Sequence, residues 1–198
     1  MVERRCNATS LLVVAKNNAS HEFLAKQFEE KTVHRIYEAL VYGKMNLLSG
    51  SIESYLVRHK NDRKKFCSED ISRGSIREHK GKFAKTHYRT LKQSPSKLTL
   101  LEFKLETGRT HQIRVHTTEM THPIVGDNIY GSLARSKQLK SVKLRKHIEN
   151  LDRFALHAKE LGFIHPTTGK MMRFNSEIPQ DMVACLEKWR TYTVNQKE

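Results

Sequence analysis

The chain has 198 residues and carries 36 Lys+Arg against 21 Asp+Glu, which gives a formal charge of +15. This length suits one domain, residues 1–198, with a buried core, and three widely separated cysteines exclude a disulfide framework and a paired-cysteine zinc site. The apolar run 11–15 is too short for a signal peptide or a transmembrane helix, so the sequence predicts a protein of a reducing compartment, either the cytoplasm or an organelle matrix.

The first third of the chain predicts a strand, a helix and a second strand. Residues 11–15 form a short continuous apolar run, typical of a buried strand. Ser20 is a suitable N-cap for a helix that runs to about Lys31. Residues 33–42 alternate as a strand does, and the two faces it predicts are Arg35, Tyr37, Ala39, Val41 and, opposite them, Ile36, Glu38, Leu40.

The middle of the chain predicts a basic loop, a strand pair and a helix. Residues 58–85 are polar and without period, which indicates a long loop or hairpin. Residues 86–91 and 98–106 are typical of paired strands. Gly108 ends the second strand, and Thr110 is the expected cap of a helix over 111–120.

The last third predicts a charged segment, a hairpin and a final helix. Residues 135–153 form a charged helical or irregular insertion. Residues 155–163 and 171–174 are expected to be strands joined by a turn at 165–169. A helix follows from about Pro179, with an apolar stripe that includes Met182 and Cys185. Together these elements predict an α+β domain around a mixed sheet.

The positive charge is concentrated in two internal segments. Residues 58–97 hold 13 basic and 4 acidic side chains, and residues 135–153 hold 7 and 2, so the rest of the chain is nearly neutral. Such segments favour a surface that binds a polyanion, most simply nucleic acid. The alternative is two solvated charged stretches with no partner.

The motif Gly108-Arg-Thr-His-Gln-Ile-Arg-Val-His116 joins a strand to a helix. The helix N-terminus offers free N–H donors, Arg109 and Arg114 add permanent cations, and His111 and Gln112 add hydrogen-bonding groups. This junction could hold a phosphate or fix a catalytic carboxylate; the alternative is an ordinary capped helix with two solvated arginines. His116 and His122 do not make a metal site, because no further ligand has suitable spacing.

This block, followed by His122-Pro-Ile-Val-Gly-Asp-Asn-Ile-Tyr-Gly131, resembles the signature of the RluA-type pseudouridine synthases. The resemblance implies a catalytic domain with a largely antiparallel sheet and flanking helices, crossed by a basic cleft. It also implies that Arg114 pairs with the catalytic aspartate and that Ile113 packs beneath the target base. Further residues are expected to contact RNA: Arg58, Arg63, Lys64, Lys65, Arg109, His111 and Gln112.

Two further motifs are similar to the same family in the same order. Lys31-Thr-Val-His-Arg-Ile-Tyr-Glu-Ala-Leu-Val41 matches its strand K-x-x-x-R-x-Y-x-A-x-V, which implies that Tyr37 stacks on the target base. Residues 154–169 match its late hairpin, where His157 and His165 are expected to shape the turn. The resemblance therefore implies isomerisation of uridine to pseudouridine in structured RNA, most simply large-subunit ribosomal RNA, without metal or cofactor.

The opening of the chain departs from the family pattern H-R-L-D-x-x-T-S-G-L-L-V-V-A-K. Residues 11–16 match it fully, but the position of the nucleophilic aspartate holds Cys6 or, in an ungapped alignment, Arg5. From this opening, the family's first strands and its separate S4 RNA-binding domain are expected to be missing and the catalytic fold to be incomplete at its N-terminus. The alternative function is therefore an RNA-binding relative that has lost catalysis.

Overall fold

The computed structural model describes residues 11–69, 79–94 and 97–194, with side chains up to residue 187. These ranges contain five helices and seven strands. In chain order they are α1 (Asn18–Glu29), β1 (His34–Tyr42), β2 (Ser49–Arg58), β3 (Phe66–Ser68), β4 (Lys82–Gln93), β5 (Leu98–Leu105), α2 (Gln112–Glu119), α3 (Ser132–Ser136), α4 (Val142–Glu149), β6 (Leu156–Ile164), β7 (Met171–Asn175) and α5 (Gln180–Val194). No helix in the described ranges is long and apolar enough to cross a membrane.

The strands form one sheet in the order β3-β2-β4-β5-β1-β6-β7. Each neighbouring pair is antiparallel. The expected α+β fold with a largely antiparallel sheet is therefore confirmed, and none of the pairings between described strands is parallel. The predicted late hairpin is present as β6 and β7, closed by Gly169 at a φ of 65°.

The central strand β1 divides the core between two faces of the sheet. Ala39 and Val41 pack with Ile113 of α2, and we call this side the α2 face. Leu40 and Tyr42 pack on the other side, which we call the α4 face. Their partners there come from the last helices and the preceding loop: Leu139, Leu144, Ile148, Met182 and Cys185. The alternation predicted for residues 33–42 thus sets the two layers of the domain.

The chain crosses from one face to the other through the plane of the sheet. β6 pairs with β1 only as far as Ala39, and residues 123–125 lie beside the end of β1 instead. The Tyr42 N–H donates to the Pro123 carbonyl at 3.0 Å, and the Val125 N–H donates to the Leu40 carbonyl at 2.9 Å. Helix α2 precedes this crossing and lies on the α2 face, whereas α4 follows it and lies on the α4 face.

Two predictions near the start of the chain are wrong. Residues 11–15 form no strand: Leu12 and Val14 are 82% and 74% exposed, and only the alternate side chains pack, against the cluster around Leu24 and Phe163. No described strand pairs with this segment, so it is extended but not part of the sheet, and only one of its sides contacts the core. The N-cap of α1 is Asn17, whose side chain accepts from the Ser20 N–H at 2.9 Å, so Ser20 is the donor rather than the cap.

The charged segment 135–153 is partly an element of the core. It contains α4, whose N-cap Ser141 accepts from the Leu144 N–H at 3.1 Å. Leu144 and Ile148 are buried at helical spacing against the α4 face, while Lys143 and Lys146 are exposed. The helical alternative was correct, but "insertion" was wrong, because this helix completes the core.

Candidate active site

Helix α2 begins at an unusual backbone position. Its N-cap is His111 at a φ of 59°, without a side-chain cap, so the expected cap at Thr110 is wrong. Left-handed geometry in a residue other than glycine costs roughly 1–2 kcal/mol, and surrounding contacts must impose it. The next residue, Gln112, supplies those contacts.

Gln112 clamps the start of α2 to the sheet. It is 3% exposed, and its side-chain amide forms four hydrogen bonds. Its oxygen accepts from Thr107 Oγ1 (2.8 Å) and the Arg109 N–H (2.9 Å), and its nitrogen donates to the Lys85 carbonyl (2.9 Å) and Thr86 Oγ1 (2.8 Å). The amide has no bonding position left for RNA, so the expected RNA contact by Gln112 is corrected to a positioning role.

A second buried polar group extends this clamp. His116 is fully buried, with Nδ1 2.9 Å from Thr86 Oγ1 and Nε2 3.0 Å from Ser54 Oγ. Burial lowers the pKa of His116 from 6.5 to about 4, because an imidazolium would lose its hydration there. The ring is therefore neutral near pH 7 and links α2 to β2 and β4 by hydrogen bonds.

Arg114 is held rigidly on the α2 face. Its Nε and Nη2 donate to the two oxygens of Asp127 at 2.7 and 2.8 Å, with the side chains 8% and 1% exposed. The guanidinium also lies over two aromatic rings, 4.7 Å from the centre of Tyr130 and 4.6 Å from that of Phe154. Nη1 is the terminal nitrogen that Asp127 does not engage.

The partner of Arg114 was not foreseen. The resemblance implied a carboxylate from the opening of the chain, and no pairing of Arg114 with Asp127 was predicted. Residues 1–10, including Cys6 and Arg5, lie outside the described residues, so the structure places only Asp127 against Arg114. The sequence did contain a signal: a lone aspartate between Gly126 and Tyr130, near a buried helix that carries an arginine.

Tyr130 joins Arg114 to the start of α2 and to the β2–β3 hairpin. Its hydroxyl accepts from the Phe66 N–H at 2.8 Å and lies 2.9 Å from His111 Nδ1. Its ring meets His111 edge to face, and His111 meets Phe66 in the same way. Burial, and then the nearby Arg114 charge, lower the pKa of His111 below its usual value.

Tyr37 and Ile113 come together on the same face. Both belong to the cluster that contains Phe103, which pairs with Tyr37 across β5 and β1. Ile113 is 4% exposed and directly precedes Arg114, whereas Tyr37 is half-buried at the sheet surface. The three residues expected to be catalytic therefore lie on one face, carried by β1 and α2.

The basic side chains of the β2–β3 hairpin lie beside this region. Arg58 stacks over Phe66, with the guanidinium carbon 5.6 Å from the ring centre. Arg63 and Lys64 are exposed, and Lys65 lies 3.6 Å from Asp62. Arg109 uses its Nε to bind the Phe83 carbonyl at 2.9 Å, which fixes it at the start of α2.

The basic β2–β3 hairpin and the basic helix α4 lie on different faces of the sheet. The β2–β3 hairpin packs with α2 through Val115 and Tyr130, whereas α4 packs on the opposite face. On the α4 face of β4 and β5, carboxylates neutralise two basic side chains. Lys85 forms an ion pair with Glu53 at 3.0 Å, and Arg89 forms one with Glu102 at 2.9 Å. The basic groups beside the candidate site are therefore those of the hairpin, and the strand alternation places the bases of β4 on the opposite face.

No group of three or more metal-ligating side chains occurs among the described residues. The late hairpin histidines have the structural setting expected of them. His165 Nδ1 accepts from the Thr167 N–H at 3.2 Å within the turn, and the buried His157 lies 3.2 Å from the Ser176 carbonyl through Nε2.

Curated relatives with similar sequences are pseudouridine synthases of bacteria. Ribosomal large subunit pseudouridine synthase D of Zymomonas mobilis is 42% identical over 177 residues, covering 89% of this chain and 51% of that protein. The enzyme of the same name from Vibrio parahaemolyticus is 37% identical over 187 residues, covering 94% and 54%. An uncharacterized RNA pseudouridine synthase of Bacillus subtilis is 39% identical over 184 residues, covering 93% and 53%. The chain thus spans about half the length of these relatives.

Solved structures share the fold. Human RNA pseudouridylate synthase domain containing 1 superposes with a TM-score of 0.66 at 24% identity, covering 92% of this chain and 74% of that one. Human RNA pseudouridylate synthase domain containing 4 gives a TM-score of 0.62 at 22% identity, covering 86% and 67%. A sequence model of the family matches residues 7–119, which include α2 and the whole motif 108–116. The chain therefore belongs to the RNA pseudouridylate synthase family.

Proposed function

We propose that this chain isomerises uridine to pseudouridine in large-subunit ribosomal RNA, in the cytoplasm or an organelle matrix. The observation that carries the proposal is the fixed Arg114, held by Asp127 and two rings, directly beside Ile113 and on the same face as Tyr37. Family membership and the names of the bacterial relatives supply the reaction class.

In this proposal the target uridine leaves its stack and enters the α2 face. Tyr37, half-buried at the sheet surface, stacks on the base, and Ile113 supports it from below. The bond from ribose C1′ to N1 of uracil breaks, the base turns, and C1′ bonds to C5. The C5 proton leaves to solvent and N1 gains one, so the reaction balances without redox chemistry or a cofactor.

Arg114 is the cationic group of this site. Its charge is held next to the base pocket at no reorganisation cost, because Asp127 and the rings already fix it. Nη1 is free of Asp127 and is the donor we assign to the reacting nucleotide or to a nucleophile beside it. Both oxygens of Asp127 accept from Arg114, so we assign Asp127 to positioning rather than to attack.

RNA affinity comes mainly from phosphate contacts of the β2–β3 hairpin. We assign these contacts to the four basic side chains beside the site, Arg58, Arg63, Lys64 and Lys65. His111 contacts both Phe66 of the hairpin and Tyr130 beside Arg114, and Arg109 is fixed at the start of α2, so we assign both to RNA contacts closer to the target. Affinity should therefore fall as salt rises.

A second candidate is an RNA-binding relative without catalysis. The observation in its favour is the opening sequence, where Cys6 or Arg5 replaces the family's aspartate. A thiol could attack C1′ only as a thiolate, and an arginine could not attack at all.

A tritium-release assay on ribosomal RNA labelled at uridine C5 tests the proposal, because C5 loses its hydrogen during isomerisation. The chain is compared with a variant whose opening is rebuilt to His-Arg-Leu-Asp with the missing glycine. Release by the native chain that stops in Cys6→Ala supports catalysis through Cys6. Release only by the rebuilt variant indicates a site that lacks its nucleophile. RNA binding by both without release favours the second candidate, and no RNA binding by either contradicts both.

Arg114→Met and Lys64→Gln divide the roles in the same assay. Arg114→Met should lower release far more than RNA affinity, since the Arg114 side chain is only 8% exposed and offers little surface to RNA phosphates. Lys64→Gln should lower affinity and leave release at saturating RNA unchanged. Losses confined to affinity in both variants would contradict the assignment of Arg114 to the reaction.

A further inference from the structure

Beside the candidate site, Arg35 is a cation that no described carboxylate neutralises. It lies on β1, two residues before Tyr37, so the two side chains share the α2 face about 6.6 Å apart along the strand. Among the described residues no Asp or Glu forms an ion pair with Arg35. Its Nε is buried and has no hydrogen-bond partner there.

The surroundings of Arg35 do not favour a charge. The side chain is half-buried, and this burial lowers the pKa of Arg35, with Tyr37 acting in the opposite direction. Arginine nevertheless stays protonated in proteins, so the site holds an incompletely solvated and uncompensated charge. Such an arrangement is unfavourable for the isolated protein and becomes favourable when an anion arrives.

The guanidinium of Arg35 packs closely against the backbone at Gly108. Arg35 Nη1 lies 2.3 Å from the place where a Cβ on Gly108 would stand, so only glycine allows the close approach. On its other side the Arg35 guanidinium carbon is 5.8 Å from the centre of the Phe28 ring. The group is therefore held between α1 and the turn that opens the motif 108–116.

We propose that Arg35 binds a phosphate of the RNA backbone next to the nucleotide stacked on Tyr37. The guanidinium fork suits phosphate oxygens, and a phosphate supplies a counter-charge to the half-buried guanidinium through its terminal nitrogens. This inference rests on the proposed function only in that the anion is a phosphodiester. It makes Arg35 a binding residue that fixes the target strand relative to the base pocket.

Arg35→Gln tests the inference against the matched control Arg89→Gln. Arg89 is exposed on the α4 side, where Glu102 neutralises it, so its loss removes the same charge far from the site. Binding of a short single-stranded oligouridylate is measured from low to high salt. Arg35→Gln should weaken binding about tenfold and reduce the slope of log affinity against log salt by about 0.7, the value for one lost phosphate contact. Arg89→Gln should change neither quantity.

Thermal unfolding separates binding from a structural role. Without ligand, Arg35→Gln should unfold at or above the wild-type temperature, because it removes an unpaired charge. Inorganic phosphate should raise the unfolding temperature of wild type more than that of Arg35→Gln. If the variant unfolds at a clearly lower temperature, Arg35 holds the fold and the inference is wrong.

Gly108→Ala supplies a second test that keeps the charge. An alanine Cβ would displace the tip of Arg35, a flexible group, at small cost in stability. Its loss of oligouridylate affinity should match that of Arg35→Gln. Wild-type affinity in both variants would overturn the inference and leave the proposed function standing. If wild type binds no RNA, the proposed function fails, and the phosphate-dependent difference in unfolding temperature alone decides whether Arg35 is an anion site.

Discussion

Replacing Asp127 with asparagine should destabilise the protein more than any surface substitution. The pair Arg114–Asp127 is bidentate, at 2.7 and 2.8 Å, and its side chains are 8% and 1% exposed. Removing one partner of such a pair leaves a buried charge uncompensated and costs about 3–5 kcal/mol. For a chain of this length that loss lowers the unfolding temperature by about 10 °C.

Equilibrium unfolding in urea measures the difference in free energy between wild type and Asp127→Asn. The control is Glu30→Gln, which breaks the exposed pair Lys26–Glu30 at 3.7 Å and should cost well under about 1 kcal/mol. The double variant Asp127→Asn with Arg114→Met should be more stable than Asp127→Asn alone, because it removes the orphaned charge. A cost below about 1 kcal/mol for Asp127→Asn, or a less stable double variant, would refute the reasoning.

Three further outcomes follow from the same contacts. The pKa of His116 is about 4 in the folded chain and 6.5 in the unfolded chain, so the unfolded chain binds more protons between these two pH values. The free energy of unfolding should therefore fall by roughly 3 kcal/mol as pH drops from 6.5 to 4. Urea unfolding of His116→Gln should show a flatter pH profile in this range. Tyr130→Phe removes the acceptor of the Phe66 N–H and should cost about 1–3 kcal/mol locally, seen as faster hydrogen exchange at Phe66; unchanged exchange would contradict it. Gly126→Ala should destabilise by more than its control Gly131→Ala, since both have positive φ but only at Gly126 would a Cβ meet backbone, at 2.7 Å; equal unfolding temperatures would contradict this.

The sequence predicted the elements whose signals are local. The alternation in residues 33–42 assigned Ala39 and Leu40 to opposite faces, and both are fully buried on those faces. The turn around Gly169 marked the late hairpin. The strand predicted for residues 11–15 is absent, because an apolar run in a sequence does not show whether a neighbouring strand is available for pairing.

The site was predicted in its residues but not in its contacts. Tyr37, Ile113 and Arg114 lie on one face as expected, and their catalytic roles stay predictions. The start of α2 was misplaced because propensity favours Thr110, whereas the side-chain bonds of Gln112 to distant strands impose left-handed geometry on His111. Such long-range hydrogen bonds leave no local trace in a sequence.

The contact between Arg35 and Gly108 also limits how relatives of this protein can diverge. A side chain at 108 is compatible with the fold only if residue 35 is shorter or turns away, because the two would otherwise overlap. The two positions, 73 residues apart in the numbering, should therefore vary together among relatives. Relatives with arginine at position 35 should have glycine at position 108, and other residues should occur at position 108 only where position 35 is not arginine. Glycine at position 108 is therefore explained by the space that Arg35 occupies and not by the backbone conformation, since the φ of Gly108 is not positive.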